Sequence, residues 1–142
     1  MDENTYVLNE IHKGLVMGME SISVVSSKVG DQAFKKVLEQ HYNQYGSLLN
    51  RINQDLEGSG IKPDDTPAAE KVMGWTSIQF NTIADKSNSH IADMLITGTT
   101  MGIIKGRKLL NKNPSLKKET KQTLNDFIKE QEHQVEKLKE WL

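Results

Sequence analysis

Apolar side chains recur every three to four residues through most of the chain, in four long stretches separated by breaks rich in glycine, proline and asparagine. In the first stretch, from about Asn4 to Val29, Leu8, Ile11, Leu15, Met19, Ile22, Ser26 and Val29 share one face of a helix. Gly14 and Gly18 each cost this helix roughly 1 kcal/mol against alanine, and Gly18, at the edge of the apolar face, permits a close crossing. His12 falls on the flank. Gly30-Asp31 ends the stretch, and Asp31 suits the N-cap of the next helix. That second helix is predicted over Gln32 to Glu57, with Phe34, Val37, Leu38, His41, Tyr45, Leu48, Leu49, Ile52 and Leu56 on a continuous face. The short break between the two predicts an antiparallel hairpin.

From Gly58 to Pro67 the glycines and prolines forbid helix. Thr66 before Pro67 reads as an N-cap followed by proline at the first helical position, opening a shorter helix over Pro67 to Ile83 that carries Trp75. The third long helix begins near Ser87 or Asn88 and reaches Leu109 or Leu110, with Ile91, Met94, Leu95, Gly98, Met101, Gly102 and Leu109 on its main face. Gly98 and Gly102 form a small-residue ridge that predicts close helix contact. Ile103 and Ile104 point away from it, toward the connector or a second subunit. Asn111 to Pro114 ends this helix, and Ser115 is a candidate cap for the fourth, Leu116 to Leu142. There Leu124, Phe127, Gln131, Val135, Leu138 and Leu142 make the apolar stripe, and Trp141 either docks the C-terminus or serves a subunit contact.

The expected architecture is one all-α domain spanning residues 1–142. It is a four-helix bundle built from a hairpin over 4–57, a long crossover with a short additional helix over 58–86, and a second hairpin over 87–142. A length of 142 residues suits a single core. The net charge of −1 supplies no bulk field for nucleic acid. The absence of cysteine removes disulfides and thiolate chemistry. No run approaches the roughly 20 apolar residues of a membrane span, and Met1-Asp2-Glu3-Asn4 is not followed by an apolar signal core. A cytoplasmic protein is expected.

The candidate chemistry is concentrated in the fourth helix, where Glu130 and His133 stand three apart, as in half of a di-iron site. Helical phase turns them away from the stripe, Glu130 by roughly 90° and His133 by roughly 150°. Glu10 and Glu20 on the first helix, Glu39 on the second and Asp93 on the third also point away from their apolar faces. His41 is the inward imidazole, expected to hydrogen-bond with Gln131, Gln44 or a hydroxyl, or else to form an unusual ligand site with Gln131 and Tyr45. Lys105, Arg107, Lys108 and Lys112 cluster near a helix C-terminus, where cations are favoured. No strand–loop–helix context for a phosphate-binding glycine loop and no nucleophile–base pair can be recognised. No catalytic or cofactor-binding residue is assigned.

Helix hairpin, crossover containing Gly74-Trp75 and second hairpin together resemble the ferritin-like superfamily. Leu8-Asn9-Glu10-Ile11, the Gly58–Pro63 turn and Gly74-Trp75 are similar to small uncharacterised bacterial ferritin-like proteins, and more loosely to spore-coat proteins of the coat F type. The resemblance implies two metal ions held by inward carboxylates and histidines, with oxygen or iron chemistry. The corresponding positions here, near Gly18, His41, Gly98 and Gln131, carry no carboxylate. Two readings follow. One is a metal-free helical scaffold or protein-interaction module, with a homodimer or helical protein as partner and, by resemblance, a stress or sporulation context. The other is a divergent di-iron or manganese protein with oxidoreductase activity, its Fe or Mn near His41 and Gln131 or in a register that turns Glu130 and His133 inward, which makes His41, Glu130 and His133 the candidate ligands.

Overall fold

The computed structural model describes residues 2–60 and 83–142. Four long helices account for nearly all of them: α1 (Glu3–Ser26), α2 (Gln32–Gly58), α3 (Asn88–Lys112) and α4 (Lys118–Leu138), followed by a 3₁₀ turn, Lys139–Trp141. Three of them begin on side-chain caps. Asp2 accepts from the Thr5 amide at 2.8 Å, Asp31 from Phe34 at 3.0 Å and Ser87 from His90 at 3.2 Å. Each such cap is worth about 1 kcal/mol because it satisfies an amide that the helix leaves unpaired.

Contacts between the hairpins fix the direction of the helices. The Lys117 amide, at the start of α4, donates to Asn4 at the start of α1. Glu10, early in α1, pairs with Lys105, late in α3, at 2.6 Å. Arg51, late in α2, pairs with Asp126, early in α4, at 2.9 Å. So α1 and α4 run one way, while α2 and α3 run the other. The end of α2 and the start of α3 therefore lie at opposite ends of the bundle, roughly 40 Å apart for helices of this length. One long crossover characterises ferritin-like bundles, and the up-down-down-up path agrees with that topology. The predicted short helix over Pro67–Ile83, with Trp75, lies almost wholly outside the described residues.

The core is a ladder of aliphatic side chains with essentially no exposure, among them Ile11, Leu15, Leu38, Ile52, Ile91 and Leu124. Burial of each contributes about 1.5–3 kcal/mol. No helix among the described residues is long and apolar enough to cross a membrane.

Several boundaries differ from those the sequence suggests. Helix α1 stops at Ser26, and Val29 is buried from within the turn. Ser115 does not cap α4, which starts two residues after Leu116 on Lys117 without a side-chain cap. Helix α3 runs on to Lys112 and closes on Asn113, whose side chain donates back to the Leu109 carbonyl at 2.8 Å. On α4, Val135 is only half-buried and Leu142 is exposed, whereas Thr120, Thr123 and Gln134 are buried. Helix α4 touches all three other helices, so its buried arc is wider than one apolar stripe. His12 is buried for the same reason, since α1 also packs against three neighbours.

Candidate functional site

Glycine sets the geometry of the bundle interior. A Cβ on Gly14 would stand 3.1 Å from the Phe127 ring, one on Gly18 would stand 2.5 Å from the Tyr45 ring, and one on Gly106 would stand 2.7 Å from Ile128. At Gly102 it would overlap the Gln131 side-chain oxygen. Each of these glycines receives a large side chain from another helix. The expected Gly98–Gly102 ridge is split: Gly102 seats Gln131 of α4, and among the described residues a Cβ on Gly98 would meet nothing within 4 Å.

Beside Gly98 the helices leave an apolar cleft of about 530 Å³. Helices α1 and α3 form its walls, and α2 and α4 close it behind. Gly14, Gly18, Gly98 and Gly102 all border it, so the facing stretches of α1 and α3 lack the side chains that would fill it. Most of the lining is apolar, from Met17 and Ile22 to Leu95 and Phe127. At its mouth Met101 and Ile104 are 62% and 50% exposed, which places two large apolar side chains against solvent. Ile104, expected to face the connector or a second subunit, borders the cleft; the connector lies outside the described residues. The volume falls within the roughly 300–1,000 Å³ typical of small-molecule sites.

Four polar side chains from α2 and α4 reach the cleft: His41, Tyr45, Gln131 and Gln134. Burial, reinforced by the nearby charges of His133 and Lys137, lowers the His41 pKa from 6.5 to about 4, so its imidazole is neutral near pH 7. Burial and then the Glu130 carboxylate push the Tyr45 phenol well above its ordinary range, against the opposing effect of its hydrogen bond with Thr99. Gln134 donates to Glu130 at 3.2 Å. Gln131 is 3% exposed, yet its side-chain nitrogen meets no acceptor among the described residues. The hydrogen bond expected of Gln131 is thus missing at that atom, and a buried unpaired donor of this kind costs about 1–3 kcal/mol.

At the mouth, Glu10 bridges the walls. One carboxylate oxygen takes Lys13 at 3.1 Å and the other takes Lys105 at 2.6 Å. Burial alone would raise the Glu10 pKa, but the two ammonium groups outweigh it and hold the carboxyl below its ordinary range. Lys108 lines the same cleft. The role of Glu10 was missed by helical phase because it sits at the edge of the buried arc and is held by a residue 95 positions away in sequence. Gln134 was missed because a polar residue beside an apolar stripe looks solvated. Its spacing of three from Gln131 was the available signal.

The three candidate metal ligands occupy neighbouring positions on the α2–α4 side, but they do not converge. His41 faces inward, Glu130 is half-buried against Gln134, and His133 is exposed in a shallow groove with Gln44, Ser47 and Asp126. Among the described residues, no three of His, Cys, Asp and Glu come together in a way that could hold a metal ion. The inward donors at the level where the resemblance implies carboxylates are an imidazole, a phenol and an amide. This set does not fit a di-iron or dimanganese centre, which needs bridging carboxylates to neutralise the cations.

No known protein family, no curated protein and no solved structure matches this chain. The chain is an all-α four-helix bundle whose helix order and direction are consistent with a ferritin-like topology.

Proposed function

We propose that the protein is a metal-free helical binding module whose working surface is the α1–α3 cleft. The observation that carries this reading is the cleft itself: it is apolar, open to solvent and bordered by four glycines, and the polar groups at its back are neutral. A neutral imidazole, a protonated phenol and two amides orient a ligand well. They offer neither an activated nucleophile nor a carboxylate base, so binding without turnover is the function they support. The partner is a small apolar molecule, which narrows the broader role of scaffold or interaction module to one defined site.

The test is saturable uptake of an apolar fluorophore such as anilinonaphthalene sulfonate by the full chain. Gly98→Leu projects a side chain into space that no described residue occupies, and uptake is expected to be lost while helical content stays unchanged. Absence of one-to-one uptake, or uptake indifferent to Gly98→Leu, overturns the cleft as the binding surface. Metal analysis of protein purified without chelator tests the other half. Stoichiometric Fe or Mn that is lost with His41→Ala overturns the metal-free reading.

A further inference from the structure

We infer that the cleft selects an amphipathic ligand with an acceptor-only, anionic head, of the alkyl carboxylate class, and that Gln131 and the lysines at the mouth hold the head while the glycine-lined part holds the apolar body. This deepens the binding reading above and rests on it. The first observation is the Gln131 amide, which lines the cleft, is 97% removed from solvent and has an unpartnered side-chain nitrogen. A buried donor calls for an acceptor, and nothing described in the protein supplies one. The second is charge. Lys13, Lys105 and Lys108 line the same cleft, against one carboxylate, Glu10, whose two oxygens are already taken by Lys13 and Lys105. The mouth therefore keeps an excess of positive charge that one anionic head complements.

The two observations fall at compatible places along the cleft. Gln131 lies against Gly102, and Lys105 is the next residue but two on α3, about one helical turn toward the Glu10 end. Toward the opposite end the lining becomes aliphatic, through Gly98 to Leu95, Ile22 and Leu138. A head between Gln131 and the lysines thus leaves its apolar body running along the stretch that no described side chain fills. An alcohol head would meet the amide but not the charge, and an ammonium head would meet neither.

Titration calorimetry of the full chain with decanoate, decanol and decylamine, each below its aggregation concentration, tests the assignment. Decanoate is expected to bind one-to-one and roughly tenfold tighter than decanol, the increment of a hydrogen bond to a charged group, with decylamine weakest. Gln131→Leu and Lys108→Gln are each expected to shrink the decanoate preference, and Lys108→Gln leaves decanol binding intact. If decanol or decylamine matches decanoate, or if the preference survives Gln131→Leu, the anionic-head inference is overturned while the binding reading stands. If none of the three binds, the binding reading falls and takes this inference with it. A photo-cross-linker at the exposed position 101 separates the remaining occupants. Cross-links to a second copy, or to residues 61–82 of the same chain, that decanoate does not suppress also overturn the inference.

Discussion

Where α2 meets α4, the seam is locked at both ends. At one end Arg51 donates to the Thr123 hydroxyl at 2.8 Å and pairs with Asp126 at 2.9 Å. At the other, Trp141 stacks on Phe34 with ring centroids 4.8 Å apart and planes 14° from parallel. Where α1 meets α3, the bundle has the same overall geometry, but the seam is held mainly by the Glu10–Lys105 pair near one end and carries the cleft along its middle. Both seams join the same two hairpins, so the difference is not one of topology. It comes from what occupies the facing positions: aromatic and long polar side chains on one side, glycine and threonine on the other. The first seam is closed by its side chains, and the second leaves the cleft.

The strongest way to break that contrast is to open the locked seam. Phe34 has no exposure, and Phe34→Ala is expected to cost about 3–5 kcal/mol in urea unfolding, the usual range for a fully buried aromatic. Trp141→Ala should cost less, about 1–2 kcal/mol, because it removes the stacking and only partial burial. Equal losses from the two would show that the C-terminal turn is as much a part of the core as Phe34.

Acid should weaken the same side of the bundle. The folded His41 pKa of about 4 lies below the 6.5 of an ordinary imidazole, so between those values the unfolded chain binds a proton that the folded chain does not. The His41 contribution is complete above pH 6.5 and is lost as pH falls to about 4, on the order of 3 kcal/mol over that window. Urea midpoints of the native chain and of His41→Gln should converge or cross across that interval, since glutamine cannot titrate. Parallel pH profiles would mean that the imidazole is protonated in the fold.

The finest comparison lies within the open seam, between two glycines four residues apart. Gly102→Ala places a Cβ on the Gln131 side chain and is expected to destabilise by about 1–3 kcal/mol, as overpacking does. Gly98→Ala meets nothing among the described residues and should stabilise by up to about 1 kcal/mol through helix propensity. Thermal unfolding of the pair checks the sign. A loss at both positions would place an occupant against Gly98.

Helix order, the turn near Gly30, the Asp31 cap, the start of α3 near Ser87 and most of the core are legible in the sequence, because a 3.6-residue period and a capping residue are local signals. His41 as the inward imidazole and Trp141 as a docking residue are legible for the same reason. The cleft is not. Gly98 and Gly102 look alike as a pattern, and only the position of α4 makes one a seat for Gln131 and leaves the other open. The pairing of Glu10 with Lys105 and that of Arg51 with Asp126 depend on which helices become neighbours, which no window of local sequence contains.

The up-down-down-up path also sets an order of assembly. Within each hairpin the joining turn is a handful of residues, so closing it costs little chain entropy. The hydrogen bonds between hairpins join residues 57, 72 and 113 positions apart, and each must wait for a long loop to close. The expected route is two helical hairpins forming early and docking late. Partial openings of the native state should then follow the same line, with amide exchange separating one hairpin from the other before either comes apart.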